Sequence, residues 1–312
     1  MTHERDYLWT GEGSADADIA QLEAALGAAR HRGGLPAPRP RVPRSALAAA
    51  FCIGLAAAVG WSLWDRAPAM RVTPLAGAPV VEGAPVIGAG RLREGETITT
   101  DAASAARLRV GDIGSVRIGP DSEVRLLETR RSGHRLAMDR GRIEALIIAP
   151  PRLFFVETPG AVAVDLGCAY TLEIDDAGVG LLEVTSGTVA LEWQGASVEV
   201  PAGTRCAVRA GSGPGAPWKI DASETLVAEL ERIETGQADR ASLPALLMVS
   251  RRADTITLWR LLEQAAEAER GAIVDRLLVL VPAPPGIARD DLVALEPGAA
   301  GRYRAALERY WY

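Results

Sequence analysis

Residues 154–174 read FFVETPGAVAVDLGCAYTLEI, and Gly160-Ala-Val162-Ala-Val164 within them sets the pattern for the middle of the chain. A glycine turns the chain, and the residues after it alternate with a period of two, the spacing that puts successive side chains on opposite faces of a strand. The same form recurs at Gly114-Ser-Val116-Arg-Ile118, Gly141-Arg-Ile143, Gly187-Thr-Val189-Ala-Leu191 and Gly203-Thr-Arg205-Cys-Ala-Val208. Successive glycines of the series stand 27, 19, 27 and 16 residues apart, too unevenly for a strict repeat. Arg107, Arg109, Arg117, Arg125 and Glu192 fall at every second position, as expected where one sheet face is wet. About a dozen short strands with glycine turns imply an all-β sandwich, barrel or irregular β-solenoid over residues 89–210.

Upstream, residues 65–88 are rich in Pro and Gly and read as a linker. Before it, Ser45–Trp64 (SALAAAFCIGLAAAVGWSLW) holds no charge. A helix of that length spans about 30 Å, the thickness of a bilayer's hydrocarbon core. Trp61 and Trp64 stand at one end, where indole rings favour the headgroup region. A buried core helix and a cleaved leader are the rivals. Against the leader, 44 residues precede the run. The expectation is a single-pass anchor. Arg30, Arg32, Arg39, Arg41 and Arg44 precede it, against Arg66 and Arg71 closely after, so the N-terminus is expected inside and the bulk of the chain outside.

Residues 1–44 form a short arm. Ala17–Ala29 reads as an amphipathic helix with Ile19, Leu22 and Leu26 on one face, and Tyr7 and Trp9 just upstream are further apolar anchors. So short a helix needs a partner to be stable, which makes Tyr7, Trp9, Ile19, Leu22 and Leu26 the candidate partner-binding residues. The alternative is a solvated acidic tail. Gly33–Pro43, with four prolines, is an extended spacer.

Downstream, Gly211–Trp218 reads as a hinge into a helical region, residues 211–312. Asp221 with Glu224 resembles a capping box, and helices are expected at Leu243–Arg252, Thr255–Arg270, Ala272–Val281, Arg289–Leu295 and Ala299–Tyr312. They form either a small bundle suited to protein contact or a cap on the end of the β domain.

The sequence offers little for catalysis. His3, His31 and His134 are too few and too scattered for a metal site, and the arm has no Cys for a zinc cluster. No phosphate loop, dinucleotide fingerprint or nucleophile elbow occurs. Asp175-Asp176 and Asp290-Asp291 sit in turn or helix-start contexts, and His134 beside Arg130, Arg131 and Arg135 reads as an exposed hairpin residue. The net charge of −6 suggests no nucleic-acid partner. The expectation is a non-enzyme without cofactor or metal.

The succession GETITTDAASAARLRVGDIGSVRIGPDSEVRL, LAMDRGRIEAL, FFVETPGAVAVDLGCAYTLEI, LEVTSGTVAL and VPAGTRCAV resembles, over residues 89–209, the FecR domain of bacterial envelope regulators. The resemblance implies a small cytoplasmic N-terminal region, one span of the inner membrane and a periplasmic β domain. It also implies, for some members, control of a sigma factor through the cytoplasmic end, and DYLWTGEGSADADIAQLEAAL resembles anti-sigma-factor helices. Two departures are the short arm and a helical tail in place of an α/β signalling module. In the family core the position of Cys168 is usually Thr. Cys168 and Cys206 are the two cysteines after the apolar run, where oxidation is permitted. A disulfide between them, or two buried free thiols, are the alternatives. The functional expectation is an envelope regulator coupled to a cytoplasmic partner such as a sigma factor, with an envelope protein partner outside. The rival is a membrane-tethered adaptor. A polysaccharide binder would need an aromatic platform, and Trp193 stands alone in the strands.

Overall fold

Alternation in the sequence becomes pairing in the structure, a computed structural model that describes residues 17–27 and 69–312. They belong to two units, Met1–Asp65 and Arg66–Tyr312. The first contributes helix α1, Ala17–Gly27. Among the described residues no helix is long and apolar enough to cross a membrane; the expected span at 45–64 lies outside them.

The second unit opens with strands β1 Ala69–Ala76, β2 Val80–Val81, β3 Ala84–Pro85, β4 Gly90–Arg93, β5 Thr97–Thr99, β6 Ala105–Val110, β7 Gly114–Ile118, β8 Glu123–Arg130 and β9 Gly133–Ile147. It continues with β10 Phe154–Glu157, β11 Val162–Asp165, β12 Ala169–Ile174, β13 Val179–Ser186, β14 Thr188–Trp193, β15 Ala196–Pro201, β16 Thr204–Arg209, β17 Gly213–Pro214 and β18 Trp218–Lys219. One sheet runs β4-β1-β6-β7-β9-β12-β13-β16, with β17 and β18 beyond β16. The other runs β3-β2-β5-β8-β9-β10-β11-β14-β15, antiparallel except for β9 beside β10. Both sheets face one core: Leu92, Leu108, Val116 and Ile143 from the first, Ile98, Val124, Leu136 and Phe154 from the second, all buried. Two antiparallel sheets over a shared core make a sandwich, where a solenoid would stack parallel rungs.

Strand β9 ties the sheets together. Its first half pairs with β8 and β10, its second with β7 and β12. The strand changes sheets at Gly141, whose φ is +100°. A Cβ there would lie 2.3 Å from Ser122 Cα, and Arg142 N–H donates to Ser122 Oγ at 2.9 Å across the same contact. Only glycine fits both the dihedral and the space.

Within the linker expected at 65–88, the described residues 69–88 carry strands β1, β2 and β3. Met70 and Val72 are buried in the core, and β1 pairs with both β4 and β6. Pro74 sits at a register shift in β1, where a residue without N–H is tolerated. The expected hinge at 211–218 is a second correction, since Gly213–Trp218 is buried throughout and carries β17 and β18.

The helical region comprises α2 Glu224–Glu234, α3 Ser242–Val249, a short 3₁₀ turn at Arg252–Asp254, α4 Thr255–Gln264, α5 Glu267–Leu280, α6 Arg289–Val293 and α7 Pro297–Glu308. Ser223, not Asp221, caps α2, its hydroxyl accepting from Leu226 N–H. The break expected at Gly271 falls instead at Ala265-Ala266, and Gly271 lies inside α5. Glu267 and Glu269 fill the first turn of α5, where negative charge suits the helix dipole. The apolar faces of these helices share a second core with Ala207, Ala216 and Trp218 at the end of the first sheet. The helices therefore cap the β domain.

Candidate functional site

Within the first unit, α1 presents two of its expected anchors to solvent: Leu22 is 63% exposed and Leu26 60%, while Ile19 is half-buried. Tyr7 and Trp9 lie outside the described residues. An eleven-residue helix with no buried side chain does not bury enough apolar surface to hold itself.

In the β domain the cysteines are apart and free. Cys168 precedes β12, whose Ala169 opposes Ser186 of β13, while Cys206 on β16 opposes Leu182 of the same strand. Two strand spacings of about 4.8 Å and several residues along β13 at about 3.4 Å separate them, well past the ~7 Å Cα limit for a disulfide. The disulfide alternative is thus corrected to buried thiols. The Cys168 thiol donates to Asp165 Oδ2 at 2.6 Å, and Gly167 N–H donates to Asp165 Oδ1 at 2.7 Å. Burial raises the Asp165 carboxyl above the usual carboxylate range and pushes both thiols up. The Tyr170 hydroxyl is buried without a hydrogen-bond partner among the described residues. Neither thiol is expected to react with iodoacetamide at neutral pH until denaturant is added, and reducing agent is expected to leave the melting temperature unchanged. Mass spectrometry of the alkylated chain checks the first and a calorimetric scan the second.

His134 departs from its expected exposure. It is buried, and its Nδ1 lies 2.8 Å from Thr129 Oγ1. The signal was in the alternation: His134 shares its parity on β9 with Leu136 and Met138, both core residues. Burial lowers its pKa, against a smaller upward pull from Glu128. A histidine depressed in the folded state stabilises fully above its unfolded pKa near 6.5, and that contribution is lost as pH falls below it. His134→Gln is expected to flatten the fall in stability below pH ~6.5, read by urea melts across the acid range.

Where β domain and helices meet, Arg209 of β16 pairs with Glu234 of α2 at 2.7 Å, both side chains mostly buried. The other carboxylate oxygen of Glu234 accepts from Ala216 N–H at 2.6 Å. Beside this pair is a hollow of about 320 Å³ lined by Glu173, Asp175, Val179, Arg209, Trp218 and Leu230. Two of its carboxylates are engaged by neighbours: Glu173 pairs with Arg142, and Asp175 accepts the turn N–H groups of Ala177 and Val179. Among the described residues no group of His, Cys, Asp or Glu is placed to hold a metal. These are the paired groups of a junction.

Fold and junction together define a β domain with a helical cap. Residues 96–190, within the stretch expected, match the family model described as FecR protein. Over that stretch the chain is FecR-like, and FecR is a family of regulators. Two solved structures of a candidate anti-sigma factor from Parabacteroides distasonis ATCC 8503, at 1.65 and 2.50 Å resolution, are similar at 15% identity with a TM-score of 0.35. The similarity covers 44% of this chain, which spans 64% of the length of theirs. No curated protein matches the chain.

Proposed function

We propose that this chain is a single-pass inner-membrane regulator. In this reading the arm is cytoplasmic, residues 45–64 cross the bilayer, and the β domain with its helical cap lies on the envelope side and meets an envelope protein. The arm sequesters a sigma factor through the apolar stripe of α1, and a change of state in the outer domain releases it. The FecR match over 96–190 carries the regulatory part. The exposed Leu22 and Leu26 support a macromolecular partner for the arm.

The test is co-purification of the detergent-solubilised full chain with sigma factors of the source cell. Leu22→Asp with Leu26→Asp is expected to abolish capture, because two charges placed in an apolar contact cost several kcal/mol. It is also expected to raise transcription from the matching promoters. Equal capture by wild type and variant would remove the sigma-binding role of α1. Unchanged transcription after deletion of the arm would favour a membrane-tethered adaptor.

A further inference from the structure

Arginines gather on one part of the outer face of the first sheet, against the usual rule for cross-strand pairs. Arg71 of β1 stands directly opposite Arg91 of β4 on one side and Arg109 of β6 on the other, and Arg107 of β6 opposes Arg117 of β7. All five are exposed. Like charges facing each other across strands destabilise a sheet. Arg109 has a weak, fully exposed partner in Asp112 at 3.4 Å, and Glu144, opposite Arg117, pairs instead with Arg142. Among the described residues Arg71, Arg107 and Arg117 make no ion pair. Several arginines on other strands are matched by carboxylates: Arg205 with Glu183 at 2.8 Å, Arg152 with Glu192 at 2.7 Å, and Arg142 with Glu173.

The same patch carries exposed apolar side chains. Arg71, Thr73, Arg107 and Arg109 line a hollow of about 420 Å³ together with Leu146 and Ile148, which are 53% and 78% exposed. A soluble polyanion would satisfy the charges and leave the leucine and isoleucine in water. An anionic bilayer surface satisfies both, phosphates meeting the guanidinium groups and the interface accepting the aliphatic side chains. The tether is short as well: Arg71 stands seven residues after Trp64, the end of the uncharged apolar run.

We infer that this arginine face docks on anionic phospholipid headgroups, holding the β domain against a charged leaflet. The inference rests on the membrane-anchor part of the proposed function and goes beyond its regulatory part, needing no sigma factor.

The full chain is reconstituted in phosphatidylcholine vesicles, with or without phosphatidylglycerol. It carries Cys52→Ser and a Ser115→Cys site labelled with an environment-sensitive dye, the two buried native thiols staying unlabelled. Anionic vesicles are expected to shift the emission to the blue. High salt and the Arg71→Gln, Arg107→Gln, Arg109→Gln variant are each expected to abolish the shift, the variant lowering the docking equilibrium on the order of a hundredfold. That variant relieves repulsion, so it is expected to melt no lower than wild type; if it misfolds, the salt titration of the wild type decides. Equal emission in the two vesicle types, or a shift that survives in the folded variant, overturns the inference. So does a shift produced by dextran sulfate and not by anionic lipid. Co-flotation with neutral vesicles reads the apolar anchor by itself. If neutral vesicles do not carry the chain, salt-sensitive flotation with anionic ones reads docking directly.

Discussion

Gly141→Ala is expected to lower the melting temperature of the chain by roughly 10 °C, from a destabilisation of about 3–5 kcal/mol. Two costs combine at this position. An L-residue is forced to the glycine's φ of +100°, and its Cβ meets backbone, with Ser122 Cα 2.3 Å away. The Ser122 Oγ and Cβ crowd the same space, and rotating that side chain cannot move its Cα out of the way; β9 is the strand that both sheets share. Gly203→Ala is the control. Its φ is +75° but a Cβ there meets nothing within 4 Å, so it carries only the dihedral cost of about 1 kcal/mol. Circular dichroism melts of both variants measure the difference. Equal losses would mean that the close approach to Ser122 does not constrain the bend.

Arg209→Met is expected to cost about 3–5 kcal/mol, because it strands the Glu234 carboxylate, whose side chain is 8% exposed, at the junction of sheet and helices. The loss belongs to the unpaired charge more than to the pair. Adding Glu234→Gln is therefore expected to restore most of the stability, since the amide oxygen still accepts from Ala216 N–H and nothing charged stays buried. Urea midpoints of the wild type, both single variants and the double variant close the cycle. A double variant as unstable as Arg209→Met would show that Arg209 acts through its packing and not its charge.

The strand content was legible because alternation is a local property. Glycine followed by Val162-Ala-Val164 or Val189-Ala-Leu191 announces a strand wherever its partner is, and the structure has strands at both places. The helical character of the C-terminal region was legible through apolar spacing, while the cap of α2 and the break between α4 and α5 were not. Errors arose where composition stood in for pattern. Pro74 suggested a linker although Met70 and Val72 already had the parity of an inward face. The glycines and prolines of 211–218 suggested a hinge although they close the sheet against the helices. His134 was misjudged from its arginine neighbours when its place beside Leu136 and Met138 pointed inward.

Partnership between distant residues was beyond reach from sequence. Cys168 and Cys206 invited a bond because they were two, but β13 stands between their strands and the register offsets them along it. Arg71, Arg107 and Arg109 gave no hint that they and their neighbours would face one another, since cross-strand neighbours are set by hydrogen-bond register and not by spacing along the chain. Local chemistry decided which segments become strands and helices. The sharing of one core by two sheets, the bend at Gly141, the Arg209–Glu234 pair and the arginine face were decided by tertiary structure, because each depends on contacts between residues far apart in sequence.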